Sequence, residues 1–297
     1  IMVDDEEYTA RQAQLQPWDV INMQYTSGTT GFPRGVMLTH VGVGLNGYWI
    51  GRHQNFSPND RVCLPVPLFH CFGCVLGVSA AVNHGATMVI LESFNALKVL
   101  AALDSERCTA VYGVPTMFLA ELEHPMFKRF DLSNMRTGIM AGSVCPEPLM
   151  RRVVEDMNMK EITICYGLTE ASPITHCNPL GTQGQRPNSI GMPVPGTDAR
   201  IVDMEGGSLT LPPGKMGELI VQGPQVMHGY WRRPDETASA LRNAMSGAKP
   251  CSSCASATGS ARLAFCAAAA GWLAARNPGK CAPRSYRVVE RDGQCWR

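Results

Sequence analysis

Apolar positions along this chain switch between two spacings, and the switching outlines a fold before any chemistry is considered. Residues 20–25, VINMQY, alternate apolar and polar side chains as a half-buried strand does. Residues 36–50 follow as a helix with a polar face from His40 to Asn46, so a strand, a glycine-rich turn and a helix are expected in succession. Residues 62–70 (VCLPVPLFH) read as a buried strand, 76–85 (LGVSAAVNHG) as a helix closed by its glycine, and 86–91 (ATMVIL) as the next strand. Helices over 96–104 and 116–122 alternate with strands over 108–112, 137–140 and 162–165. Such alternation implies an α/β fold with a doubly wound, mostly parallel sheet. After Gly191 the pattern changes to short strands, 198–203 and 217–222, divided by LTLPPGK, which suits a small β-rich subdomain. Residues 1–17 read as a polar helix or leader without an apolar stripe, and no repeat of fixed period is visible.

The densest chemistry lies in 25–40, YTSGTTGFPRGVMLTH. Thr26, Ser27, Thr29 and Thr30 surround Gly28 and Gly31, and Arg34 follows. Glycines let backbone N–H groups converge on an anion, hydroxyls add donors, and a guanidinium neutralises charge, so this composition suits a loop that wraps phosphate. The expected helix would place the anion at a helix start, where free N–H groups and the dipole favour it. It is not a Walker A loop, because Pro33 stands where that motif needs its second glycine. A Ser/Thr/Gly surface turn accounts for the composition but not for the order.

A second group follows the strand EITICYG. Tyr166 and Glu170 fall at that strand's carboxyl end, where open α/β sheets bind ligands. A tyrosine face can stack on a base, and a lone acid suits Mg²⁺ through one or two oxygens. Alone, the pair reads by default as a structural tyrosine and a solvated glutamate. His70, in PLFHCFG, is either a core histidine or a functional one. The pairs Cys71/Cys74 and Cys251/Cys254 are too far apart in sequence for a zinc ribbon, and no metal or redox role is expected for them.

These motifs together resemble the acyl-activating, AMP-forming (adenylate-forming) enzymes, with phrasing closest to medium-chain acyl-CoA synthetases and fatty-acid-CoA ligases. The resemblance runs over about 19–241 and rests on YTSGTTGFPRG and on YGLTE at 166–170. It implies a partial large domain of an acyl-CoA synthetase: ATP-dependent conversion of a fatty acid to an acyl-adenylate and then to acyl-CoA. ATP/AMP, Mg²⁺ and coenzyme A are the implied cofactors and co-substrates. By the same resemblance Thr26, Ser27, Gly28, Thr29, Thr30, Gly31 and Arg34 cradle phosphates, with Arg34 where a lysine is more usual. Ser143, Val144 and Cys145 flank adenine, Tyr166, Gly167, Leu168 and Thr169 seat AMP, Glu170 holds Mg²⁺, and His70 lies near the acyl group and the coenzyme A channel. Thr26, His70 and Glu170 are the implied catalytic residues. No acid occurs between Leu64 and Leu91. A buried substrate ammonium would need a carboxylate there, so an apolar acyl chain fits better than an amino acid. Tyr112, Gly113, Val114, Pro115 and Met117 would line such a pocket or simply belong to the core.

Composition changes the picture at one place. Across 297 residues, 45% hydrophobic and 17% charged, the net charge of +1 gives no reason to expect nucleic acid or an acidic membrane surface. From residue 243 on, however, eight Lys and Arg face two acids, Glu290 and Asp292, and five of the twelve cysteines gather there. The family's ribose-binding aspartate motif, expected soon after GYWRRPDETASAL, is missing: Gly271-Trp272 occurs without T-G-D. The expected division is therefore 1–190 as nucleotide- and acyl-binding core, 191–242 as β-rich subdomain, and 243–297 as a divergent or out-of-frame tail. Loss of a charged hydrogen bond to ribose costs roughly 1.5–3 kcal/mol, and loss of a preorganised cation costs about 10² to 10³ in rate. An impaired enzyme is expected, the rival being a non-catalytic nucleotide-binding remnant or an unstable fragment. The opening IMVDDEEYTA has no basic start followed by an apolar run, and no stretch is long enough to span a bilayer. A reducing compartment follows as the expectation, cytoplasm or mitochondrial matrix, with free thiols.

Overall fold

The computed structural model describes residues 4–26, 32–180, 189–204 and 209–241, together with the backbone of one strand at Arg284–Val288. The loop residues Ser27 to Gly31 and the pair Cys251/Cys254 lie outside the described residues. Strands β3 (Arg61–Leu64), β4 (Thr87–Ile90), β5 (Ala110–Gly113), β6 (Thr137–Met140), β7 (Glu161–Gly167), β8 (Ile174–Cys177) and β9 (Met192–Pro193) form a seven-stranded sheet in the order β4-β3-β5-β6-β7-β8-β9. Neighbours from β4 to β7 pair parallel, and β8 and β9 join antiparallel.

Side chains of this sheet alternate between two cores, as the period of a strand requires. Val62, Leu64, Ala110, Tyr112 and Ile139 face a cluster with Ile50, Phe72 and Leu76, from α2 (His40–His53) and a π-wound helix (Phe72–Ser79) that continues into α3 (Ala80–His84). Cys63, Val111, Met140, Ile162 and Ile164 face the other cluster, with Leu100, Leu103, Phe118, Leu122 and Met150 from α4 (Ala96–Ser105), α5 (Pro115–Leu122) and α6 (Glu147–Asp156). Helices therefore cover both faces, as a doubly wound sheet demands. Each large apolar side chain so buried is worth about 1.5–3 kcal/mol relative to exposure.

A second sheet corrects one expectation. Residues after the phosphate loop do not enter a helix: β1 (Val20–Thr26) turns back as β2 (Arg34–Thr39), antiparallel, with Thr26 opposite Arg34. Val36 and Leu38 fill a third core, and the run of large and β-branched residues favours a strand over a helix there. The helix starts only at His40, where the Thr39 hydroxyl accepts the Gly42 N–H at 3.2 Å. The loop thus joins a hairpin and does not open a helix, so the helix-dipole argument does not apply to it. The expected polar face of α2 is also wrong at Asn46, which is 4% exposed.

Helix α1 (Asp5–Gln14) buries no side chain. Strands β10 (Asp198–Val202) and β11 (Glu218–Gly223) pair antiparallel, and the Arg284–Val288 strand, β13, adds to β11. Strand β12 (Gly229–Tyr230) crosses to pair with β2, and α7 (Pro234–Ala240) follows it.

Candidate active site

Three of the sequence-predicted residues meet in one corner through a tyrosine that sequence reasoning had not assigned. β12 lays Tyr230 beside Val36 of β2, one turn of the ladder from Arg34. The Arg34 guanidinium stands over the Tyr230 ring, 5.4 Å from its centroid, and the Tyr230 hydroxyl donates to Glu170 Oε1 at 2.7 Å. Thr26 is the register partner of Arg34. Arg34 Nε also lies 2.5 Å from Glu236 Oε2 of α7, a contact only 20% and 28% exposed on its two sides. The guanidinium is thus held between an aromatic face and a carboxylate, an arrangement in which a planar cation is favoured over an ammonium.

The turn carrying Glu170 is over-determined by hydrogen bonds. Buried Asn46 of α2 accepts the Ile174 N–H at 2.8 Å and directs its amide at the Ala171 and Gly42 carbonyls, both at 3.4 Å. The Ser172 hydroxyl donates to the Gln225 carbonyl at 2.7 Å, and the Met227 N–H donates to the Glu170 carbonyl at 2.7 Å. Gly167 must lack a side chain, because a Cβ there would come 1.9 Å from the Pro173 carbonyl oxygen. Gly42 is similarly placed under Ser172, whose hydroxyl would lie 2.6 Å from a Cβ.

His70 reaches the same neighbourhood from the carboxyl side of β3. Its Nδ1 accepts the Phe72 N–H at 3.0 Å, which fixes the proton of the neutral ring on Nε2, and desolvation lowers its pKa from the ordinary histidine value. The next residue, Cys71, places its sulfur 3.6 Å from the Thr169 hydroxyl, and burial pushes that thiol up to about 11. Gln24 of β1 donates to Cys74 at 3.0 Å, tying the phosphate-loop hairpin to the same segment. His70, Thr169, Glu170 and the hairpin therefore form one connected region.

The other predicted residues are placed as follows. Ser143 and Val144 are exposed in the turn after β6, beside the parallel β7 that ends at Tyr166 and Gly167. Gly142 supplies the φ of +89° that this turn uses. Cys145 turns into the core, where burial pushes its thiol up to about 12, so only its backbone is presented to the turn. Tyr166 is half-buried against His176, ring centroids 6.1 Å apart, and burial lowers His176 to about 4. Leu168 packs on the core that includes Val36 and Tyr230. Tyr112 is fully buried, stacked on Phe72 and bonded to Gln54 at 2.6 Å, which makes it core and not pocket lining.

Among the described residues no group of three His, Cys, Asp or Glu could by itself hold a metal ion. Glu170, with one oxygen bonded to Tyr230 and the other available, fits a single-carboxylate site of the kind Mg²⁺ uses when phosphate oxygens and water supply the remaining positions. Tyr230, Glu236 and Asn46 escaped the sequence reading. Tyr230 and Glu236 lie in GYWRRPDETASAL, a string within the resemblance to which no role had been attached, whereas nothing local marks Asn46.

A doubly wound sheet with polar residues gathered at the carboxyl ends of its strands, beside the β1–β2 pair, is the arrangement in which open α/β folds bind ligands. The family model described as AMP-binding enzyme matches residues 2–231, and the chain belongs to that family. It is 48% identical over 242 residues to a protein named putative acyl-CoA synthetase YngI of Bacillus subtilis, covering 81% of this chain and 44% of that one. It is 43% identical over 235 residues to the mitochondrial medium-chain acyl-CoA ligase ACSF2 of Rattus norvegicus, covering 76% and 38%. The ATP-bound structure of MatB from Rhodopseudomonas palustris superposes with a TM-score of 0.68 at 29% identity, over 77% of this chain and 44% of that one. The chain spans under half the length of the curated relatives it matches. Among the described residues no helix is long and apolar enough to cross a membrane.

Proposed function

We propose that the chain carries the ATP- and acyl-binding part of a fatty-acid-CoA ligase, in which a carboxylate attacks the α-phosphorus of ATP and pyrophosphate leaves. The acyl-adenylate is then attacked by the coenzyme A thiol, with AMP as leaving group. The observation that carries this reading is the Arg34–Tyr230–Glu170 corner, which puts a cation and a carboxylate beside the phosphate-loop hairpin. In it Thr26, the loop from Ser27 to Gly31 and Arg34 bind phosphates, Thr169 orients the α-phosphate, and Tyr166 with the 143–145 turn flanks adenine. Glu170 would hold Mg²⁺, whose contribution is to neutralise charge on the phosphates. His70, neutral and carrying its proton on Nε2, is a donor for the acyl carboxylate or its adenylate. The acid-free segment from Leu64 to Leu91 favours an acyl chain over an amino acid.

The division into a core over 1–190, a β-rich part over 191–242 and a separate tail over 243–297 is part of the same reading, as is a cytoplasmic or mitochondrial-matrix location. Exchange of labelled pyrophosphate into ATP in the presence of fatty acids of several lengths tests it. Exchange well above that of Glu170→Ala supports the ligase. Nucleotide binding without exchange in either protein would reduce the chain to a binding remnant, and preference for an amino acid would overturn the pocket assignment.

A further inference from the structure

Behind the candidate site, Cys165 and Cys177 oppose each other across β7 and β8. They are register partners in the antiparallel pair, their sulfur atoms are 2.9 Å apart, and each residue is 5% exposed. Directly opposed residues of an antiparallel pair have Cα atoms about 4.5–5.5 Å apart, inside the range of about 4.4–6.8 Å that a disulfide bridges. The backbone therefore needs no rearrangement for the two sulfurs to bond. His53, in the last turn of α2, completes the cluster: its Nε2 lies 2.8 Å from the carbonyl of Asn178, the residue after Cys177.

The two thiols are not equivalent. Burial opposes a charge on Cys177, but donation from Cys165 and contact with His53 outweigh it and draw its pKa below the ordinary thiol value. Burial, together with its partner, drives Cys165 the other way. A thiolate beside a protonated thiol is the asymmetry that oxidation to a disulfide uses, one sulfur attacking and the other resolving. Cys71 and Cys145 lack it, both being pushed upward by burial. Cys63 and Cys108 also interact, but both are fully buried, and Cys63 is in register with Val111 and not with Cys108.

We propose that Cys165 and Cys177 are an oxidisable pair that closes to a disulfide between β7 and β8. With a hydroperoxide as oxidant, the Cys177 thiolate attacks the terminal oxygen, the O–O bond breaks, and a sulfenic acid forms as hydroxide leaves and is protonated to water. The Cys165 sulfur then attacks the sulfenic sulfur, the S–O bond breaks, and hydroxide departs with the Cys165 proton as a second water. Two thiols and one hydrogen peroxide become one disulfide and two waters. The loop so closed, 165–177, contains Tyr166, Thr169 and Glu170, so the bond restrains the segment that the candidate site depends on. This inference concerns the thiols alone and stands whether or not the ligase reading does.

Peptide mapping of the full chain after treatment with equimolar hydrogen peroxide tests it. The peptide bearing both cysteines should become two hydrogens lighter, resist alkylation and recover both thiols with dithiothreitol. In Cys165→Ser, dimedone should trap Cys177 as the sulfenic acid. The oxidised wild type should melt on the order of 5–10 °C higher, as closing a loop of this size implies. The oxidation rate should be nearly flat from about pH 6 to 8, since a thiolate is already present, with His53 of α2, Tyr112 of β5 and Cys145 before α6 the titratable groups facing the pair. If both thiols remain alkylatable in wild type after the more accessible Cys74 has been oxidised, the pair is not a redox site. A tenfold rate rise per pH unit overturns the assignment of Cys177 as the attacking sulfur.

Discussion

Glu170 and Glu121 show two ways of keeping a carboxyl group out of bulk water. Glu170 sits half-buried with the Tyr230 hydroxyl on one oxygen, its backbone carbonyl bound by Met227, and Arg34 on the far side of the same tyrosine ring. Glu121 of α5 is 1% exposed in the apolar core, its Oε2 without a hydrogen-bond partner among the described residues, and burial pushes its pKa up to about 8. The first is held in one orientation by polar neighbours. The second is tolerated because it keeps its proton. What separates a site from a buried acid is therefore the convergence of partners from distant segments, here β2, β12 and the 168–173 turn, and not burial itself.

Removing Glu170 is the strongest way to break that contrast. Glu170→Ala should lower pyrophosphate exchange by about 10² to 10³, the loss typical of a preorganised electrostatic group. Stability should fall by only about 1 kcal/mol, because a single hydrogen bond from Tyr230 is lost. Chemical denaturation measured beside exchange separates the two effects. Equal losses in both would place Glu170 with the structural residues.

Glu121 sharpens the other side. Its carboxyl in the unfolded chain ionises near the ordinary 4.5, whereas in the fold it stays neutral to about 8. As pH rises from 4.5 to 8 the unfolded chain gains the charge first, so stability declines across that window and levels off above it. Glu121→Gln should remove the decline, leaving the variant on the order of 4 kcal/mol more stable than wild type at pH 8 and little different at pH 4.5. Urea midpoints at the two pH values check this. A gap that does not widen with pH would mean that the wild-type carboxylate finds a partner as it ionises.

Asn46 comes next in size. Asn46→Ala strips the acceptor from the buried Ile174 N–H, and an orphaned buried donor costs about 1–3 kcal/mol. Because the same side chain positions the turn, exchange should also drop, and Asn46→Asp should restore the acceptor without the amide donor. A stability loss with unchanged exchange would show that the turn holds Glu170 without it.

How much of this was readable beforehand follows from where each signal lives. The parallel strands β3 to β7 were legible as short apolar runs, four of them ending in or followed closely by Gly or Pro and β4 preceded by Gly85, but β3 ends at Leu64, before Pro65, and not at His70 as expected. β2 was misread as helix because Val36 to Thr39 runs on without a breaker into a genuine helix, and only the Thr39 cap marks the change. α6 passed unnoticed although Leu149, Met150 and Val153 fall on one buried helical face. In the site, YGLTE and the loop were visible as local strings. Tyr230, Asn46 and the Cys165–Cys177 pair were not, since each acquires its meaning from a partner 12 to 128 residues away. One-dimensional spacing reports neighbours along a strand or helix, and these contacts join segments that are distant along the chain.

The finest test of the contrast is Tyr230→Phe. The ring under Arg34 remains, and with it the cation–π contact and the packing against Val36 and Val226, but the hydrogen bond to Glu170 goes. A neutral donor to a carboxyl group is worth about 0.5–1.5 kcal/mol net, so exchange should fall roughly threefold to tenfold. If Tyr230 acts by holding Glu170 ready for Mg²⁺, the loss should be largest at low magnesium and shrink as the ion saturates. Structural damage would lower exchange equally at every magnesium concentration. A Tyr230→Leu variant, which deletes the aromatic face as well, should lose more at all concentrations, because Arg34 is then held by Glu236 without the ring beneath it.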